Sequence, residues 1–165
     1  MKELAITITY KELENINELP VQFQQLLLKA KEAISDSYAP YSNFHVGAAA
    51  LLENGVLMKG SNQENASSPV GICAERVALS AVSALYPNVP VVALAISVKP
   101  KNHSLNEPVA PCGLCRQSIL EYEERFHKPI QVIFQGESGK IVWIDSAKSL
   151  LPFSFGKDHL KPSVR

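Results

Sequence analysis

The stretch Val91-Val92-Ala93-Leu94-Ala95-Ile96-Ser97-Val98 decides the fold. It is nearly continuous in apolar and β-branched residues, the mark of a strand buried on both faces. On its N-terminal side, apolar and small residues recur at helical spacing from Cys73 to Leu85, and Pro87 and Pro90 close that helix. On its C-terminal side a polar loop, Lys99 to Ala110, leads into Pro111-Cys112 and a helix running through about Phe126. Farther upstream, Phe23, Leu26, Leu27, Ala30, Ala33 and Ile34 repeat at spacings of three and four after Pro20, which predicts another helix. A turn-rich loop, Tyr38 to Asn43, separates it from two apolar runs, Val46 to Leu52 and Val56 to Gly60. Asn54-Gly55 between those runs is a strong hairpin signal. Ile130 to Phe134 and Ile141 to Ile144 read as two more strands around the turn Gly136 to Gly139. The piece Leu4 to Ile8 alternates briefly and reads as a candidate edge strand.

Helices alternating with strands in this order predict one α/β domain, a three-layer α-β-α arrangement around a mixed five-stranded sheet. Residues 1–19 read as an N-terminal extension and residues 20–165 as the domain itself.

The composition narrows the function. The chain has 165 residues, 46% hydrophobic and 19% charged, with 16 Lys+Arg against 16 Asp+Glu. Zero net charge removes the basic footprint of a nucleic-acid binder, so none is expected as a partner. The charged fraction lies below the usual quarter or so, as it would if another subunit covered part of the surface. The opening residues carry Lys2, Glu3, Lys11, Glu12 and Glu14 where a signal peptide would be apolar. No run of about 18 apolar residues occurs, so no membrane partner is expected. With three cysteines, a reducing cytoplasmic compartment is the expectation, where such residues bind metal, catalyse or pack.

All three cysteines stand at predicted helix starts: Cys73 at one, Cys112 and Cys115 at the next. A helix N-terminus carries free N–H groups and partial positive charge, which favours a thiolate. Cys112-x-x-Cys115 supplies two ligands with a suitable bite for a tetrahedral metal, and Cys73 could supply a third. Three protein ligands leave a fourth position open, the pattern of a catalytic zinc. Glu75, two positions after Cys73, is placed to take a proton from water and return it to a substrate nitrogen. Cys₃-coordinated zinc, a non-ligating Glu and P-C-x-x-C together describe zinc deaminases. Arg76, one turn after Cys73, would offset the excess negative charge by donating to the thiolates.

These motifs, with Tyr41-Ser42-Asn43-Phe44, Val46-Gly47-Ala48-Ala49, Asn62-Gln63-Glu64-Asn65-Ala66, Cys73-Ala74-Glu75-Arg76 and Pro111-Cys112-Gly113-Leu114-Cys115-Arg116-Gln117, resemble the homotetrameric zinc-dependent cytidine deaminases. Leu150-Leu151-Pro152 and Ser154-Phe155-Gly156 look like that family's C-terminal signature. The resemblance runs from about residue 20 to 160 in the expected order. It implies a zinc ion on Cys73, Cys112 and Cys115, with Glu75 shuttling protons as hydroxide attacks C4 of cytosine and ammonia leaves. It places Asn62 and Glu64 on the ribose 3′-hydroxyl, the Ala74 backbone and Phe44 at the base, and Phe155 in a neighbouring subunit's site. The implied activity is conversion of cytidine or deoxycytidine to the uridine product in pyrimidine salvage.

Three departures stand out. Ser68 replaces a usual aromatic, His45 replaces a common Pro, and the 99–110 loop looks long. Ser68 leaves open a deaminase of another cytosine-containing small molecule, such as a nucleoside antibiotic. A structural zinc module, its fourth ligand one of His45, His103, His127 or His159, is the non-catalytic alternative; no histidine is paired with a cysteine in a motif. A redox pair would leave Cys73 without a purpose. Asn62 and Glu64 could be ordinary loop polars, Arg76 a surface arginine, and both phenylalanines core. His45 reads as a strand-start histidine without a catalytic role.

Overall fold

In the computed structural model, which describes residues 1–160, eight of the nine main elements follow the predicted order. The nine are β1 (Lys11–Leu13), α1 (Val21–Ala33), β2 (Phe44–Leu52), β3 (Leu57–Ser61), α2 (Ala74–Leu85), β4 (Val91–Pro100), α3 (Gly113–Phe126), β5 (Gln131–Gln135) and β6 (Ile141–Ile144). The strands lie in the order β1-β6-β5-β4-β2-β3. Among these six strands only β4 and β5 pair in parallel, and α3 makes the crossover between them.

Side-chain alternation on the strands sorts the two helix layers. Ala48, Ala50 and Leu52 of β2 face α2 and α3, joining Ala78, Leu79, Val82 and Ile119 in one buried cluster. Ala49 and Leu51 face the other way, onto Phe23, Leu26, Leu27 and Ala30 of α1. Leu26, Leu27 and Leu79 are fully buried, and each such side chain contributes about 1.5–3 kcal/mol relative to exposure. The expected three-layer α-β-α architecture is therefore present. The run at 91–98 is buried along its length except at the partly covered Val92, because helices cover both of its faces.

Small residues set the close approach of helix to sheet. A Cβ on Gly60 would lie 2.4 Å from the Ala78 nitrogen and 2.5 Å from the Ala74 carbonyl, so β3 touches the first turns of α2 backbone to backbone. Across the α2–α3 seam, the Tyr122 hydroxyl donates to the Leu79 carbonyl at 2.6 Å and takes the Ser83 hydroxyl at 2.5 Å. Glu123 fixes the far end of α3 by accepting the Ile130 and Ala147 amides, each at 2.8 Å.

The sheet differs from expectation at its edge. It has six strands instead of five, and the added one is Lys11–Leu13, not Leu4 to Ile8. Lys11 caps the Trp143 ring at 3.9 Å and pairs with Asp145 at 2.6 Å, while Lys140 pairs with Glu12 at 2.5 Å. These contacts across the β1–β6 pair fix a three-residue strand too short for an alternation pattern. Leu4, Ile6 and Ile8 remain exposed beside it. Among the described residues no helix is long and apolar enough to cross a membrane.

Candidate active site

Cys73 and Cys112 are the N-cap residues of α2 and α3, and Cys115 lies in the first turn of α3. The packing of both helices on one sheet face therefore brings two helix starts together. The three sulfur atoms lie within 4.8 Å of one another, with Cys73 and Cys112 at 3.9 Å. Cys115 is buried, Cys73 half-buried and Cys112 exposed. A hydrogen bond from the Cys115 thiol brings the Cys73 pKa down to about 6. Donating that proton, and burial, push the Cys115 thiol up. One thiolate is thus already favoured by helix-end charge and its neighbours, and a divalent cation would favour the rest. Three convergent sulfurs fit zinc and leave room for one further ligand.

Glu75 is only 4% exposed. Burial raises its carboxyl above the usual range, against the opposing influence of its own backbone amide, Cys115 and Arg76. The Arg76 guanidinium also favours the Cys73 thiolate through its charge, so it bears on both the buried carboxyl and the thiol cluster.

In front of this corner lies a hollow of about 350 Å³. Cys73, Ala74, Glu75 and Cys112 form one end, Ile96 and Val98 of β4 the floor, and Phe44, Asn62, Glu64 and Ser68 the remaining wall. The wall is held differently from the corner. Beyond β3 the chain continues extended, and Gln63 bridges Tyr38 on one side and Ile72 on the other. Asn62 and Glu64, two residues apart on this strip, fall on the same side of it. Asn62 Oδ1 accepts the Val46 amide at 2.8 Å, and its Nδ2 donates to the Phe44 carbonyl at 2.9 Å. Glu64 accepts the Tyr41 and Ser42 amides at 2.8 and 3.3 Å. The Ser42 hydroxyl and these amides hold its carboxyl below the usual carboxylate range. Asn43 makes the turn between them with φ 55, a left-handed conformation that Asn tolerates well.

The Cytidine and deoxycytidylate deaminase zinc-binding region matches residues 20–127. The chain belongs to this family. Among relatives, the cytidine deaminase of Halalkalibacterium halodurans is 37% identical over 133 residues, covering 80% of this chain and 92% of the relative. That of Sporosarcina psychrophila is 36% identical over 138 residues, covering 83% and 93%. Among solved structures, the cytidine deaminase from Burkholderia pseudomallei superposes with a TM-score of 0.69 at 37% identity, covering 79% of this chain and 97% of that one.

The hollow gathers Phe44, Asn62, Glu64, Cys73, Ala74, Glu75 and Cys112, with Cys115 buried just behind. Phe155 stands apart from it. Its side chain is 58% exposed and stacks on His159, while Gln117 donates to its carbonyl at 2.9 Å. Sequence reading missed Arg116, whose Nε donates to the Pro111 carbonyl at 2.8 Å and whose Nη1 donates to the Leu150 carbonyl at 3.1 Å. It ties the peptide before Cys112 to the C-terminal Leu150-Leu151-Pro152 turn. Its place directly after Cys115 was the available signal. Val109 and Ala110, at the end of the long loop, also line the hollow.

Proposed function

We propose that the protein hydrolytically deaminates cytidine and deoxycytidine to uridine and deoxyuridine, releasing ammonia. The observation that carries this reading is the convergence, at one hollow, of a three-thiol cluster, a buried carboxyl and a polar strip.

Cys73, Cys112 and Cys115 would hold one zinc ion, which when bound would supply Lewis acidity and activate water. Glu75 accepts the proton of the attacking water and returns it to the substrate nitrogen; the C4–O bond forms, the C4–N bond breaks and the amino group leaves as ammonia. Burial suits its carboxyl to both halves of that exchange. Arg76 donates to the thiolates and offsets their charge. The Ala74 backbone and Phe44 orient the base. Asn62 and Glu64, one offering an N–H and the other a carboxylate oxygen, take the 3′-hydroxyl as acceptor and donor. Phe155, exposed on its own chain, reaches a neighbouring subunit's hollow in a homotetramer. Residues 20–165 form the catalytic domain and residues 1–19 an extension that adds β1 to the sheet edge. The enzyme works in the cytoplasm, in pyrimidine salvage. Ser68 favours a second reading, because its small side chain leaves the wall open for a larger cytosine derivative.

The test is ammonia release from cytidine, deoxycytidine, cytosine, a nucleoside antibiotic bearing cytosine and a short cytosine-containing single strand. Glu75→Gln is expected to lower nucleoside turnover by about 100- to 10,000-fold, and chelation to abolish it. Activity persisting in that variant overturns the mechanism. Turnover of the antibiotic or the strand alone overturns the nucleoside assignment. A native mass other than four chains overturns the tetramer.

A further inference from the structure

His45 is next to the wall of the hollow but turned from it. Phe44 and Val46 line the hollow, and alternation along β2 sends the imidazole to the opposite face, beside Ser37, Lys99 and Lys101. There its Nδ1 lies 3.1 Å from the Ser37 hydroxyl, and that hydroxyl lies 2.5 Å from Asn62 Oδ1.

The direction of this chain follows from its inner end. Asn62 Oδ1 already accepts the Val46 amide, and Nδ2 already donates to the Phe44 carbonyl, so the amide has one possible orientation. A carbonyl oxygen only accepts, so the Ser37 proton must point at Asn62. The Ser37 oxygen is then left to accept, and His45 Nδ1 must be the donor. The imidazole therefore carries a proton on Nδ1 whether or not Nε2 is also protonated.

With these contacts Asn62 has one N–H left, the one available to a ligand in the hollow. Two successive donors behind its carbonyl lock the plane of the amide and polarise it, which strengthens the opposite N–H as a donor. Val46 and Phe44 alone would hold the loop. The additional bond from Ser37 acts on the side chain that meets the ligand. We infer that Ser37 and His45 are positioning residues that set the affinity for the sugar hydroxyl by orienting Asn62 from the far side of β2. The inference rests on the proposed placement of Asn62 at the 3′-hydroxyl.

The experiment compares cytidine with 3′-deoxycytidine, which lacks only that hydroxyl, on the zinc-loaded full chain. Ser37→Ala and His45→Phe are expected to raise KM for cytidine about three- to tenfold, the size of one neutral hydrogen bond. The kcat values should hold, and KM for 3′-deoxycytidine should not move. His45→Asn, which keeps an N–H donor near the Nδ1 position, should restore KM for cytidine. Calorimetric Kd values for uridine and 3′-deoxyuridine should split in the same way. Equal changes for both substrates, a fall in kcat alone, or no change in either variant would overturn the inference. Asn62→Ala separates the two levels of argument. If it discriminates between the substrates while the Ser37 and His45 variants do not, the relay alone fails. If it does not discriminate, the sugar placement of Asn62 fails and the relay's function fails with it.

Discussion

The two ends of the hollow are built by different means. The thiol corner is made by long elements: two helices of 12 and 14 residues, packed on one sheet face, deliver three sulfurs from their first turns. The polar strip opposite is made by short ones: single bridges at Gln63, a turn at Asn43 and side chains bonded to backbone amides. A helix start placed by a core resists local change, whereas a strip placed by individual hydrogen bonds can be adjusted one bond at a time. Under the proposed function, chemistry that tolerates no displacement sits on the former, and recognition sits on the latter.

Substitutions can sharpen or break this contrast. The largest effect is expected from Cys115→Ala, which should lose zinc by more than the about 100-fold that loss of a ligand's own partner can cause; full zinc content after gel filtration would contradict it. Gly60→Ala comes next, because the added Cβ strikes the α2 backbone at Ala74 and Ala78. It should destabilise by about 1–3 kcal/mol, read from the urea midpoint, and damage both ends of the hollow. Glu64→Gln should raise KM about tenfold while leaving kcat, since it weakens a charge-assisted hydrogen bond on the strip alone. Tyr122→Phe should cost about 1 kcal/mol at the α2–α3 seam, and its kinetic effect should fall on kcat.

The smallest expected effect concerns pH. Glu64 has its carboxyl held below the ordinary value of 4.5 by the Ser42 hydroxyl and the Tyr41 and Ser42 amides. Its contribution to stability is therefore full above that value and is lost as pH falls through the lower folded one. Wild type and Glu64→Gln should differ in Tm at neutral pH and converge in acid; a gap that widens in acid would contradict this.

The contrast also explains what the sequence disclosed. Helices and long strands announce themselves by periodicity, so α1, α2, α3 and the largely buried β4 were legible within a residue or two. The thiol corner was legible too, because its residue types are rare and stand at helix starts. β1 was not, since three residues carry no period and its position comes from Trp143, Asp145 and Lys140 far along the chain. The attachment of Asn62 to Ser37 and His45 was equally hidden. It depends on which face of β2 a side chain leaves from, and on a turn that returns Ser37 to that face.

Gly60 and Asn62 belong to one uninterrupted length of extended backbone. Gly60 is pressed against the first turns of α2, and Asn62 follows two residues later. That peptide is a ruler between the thiol end of the site and its polar end, graduated at about 3.3 Å per residue. Its length can be altered only in whole residues, and each step also reverses which side the following side chains face. Inserting a single residue after Ser61 would move Asn62 along the wall and turn its amide, with the Glu64 carboxylate, out of the hollow. A side chain on this ruler can be exchanged where there is space for it, as there is not at Gly60, but the spacing itself cannot be adjusted by less than a residue.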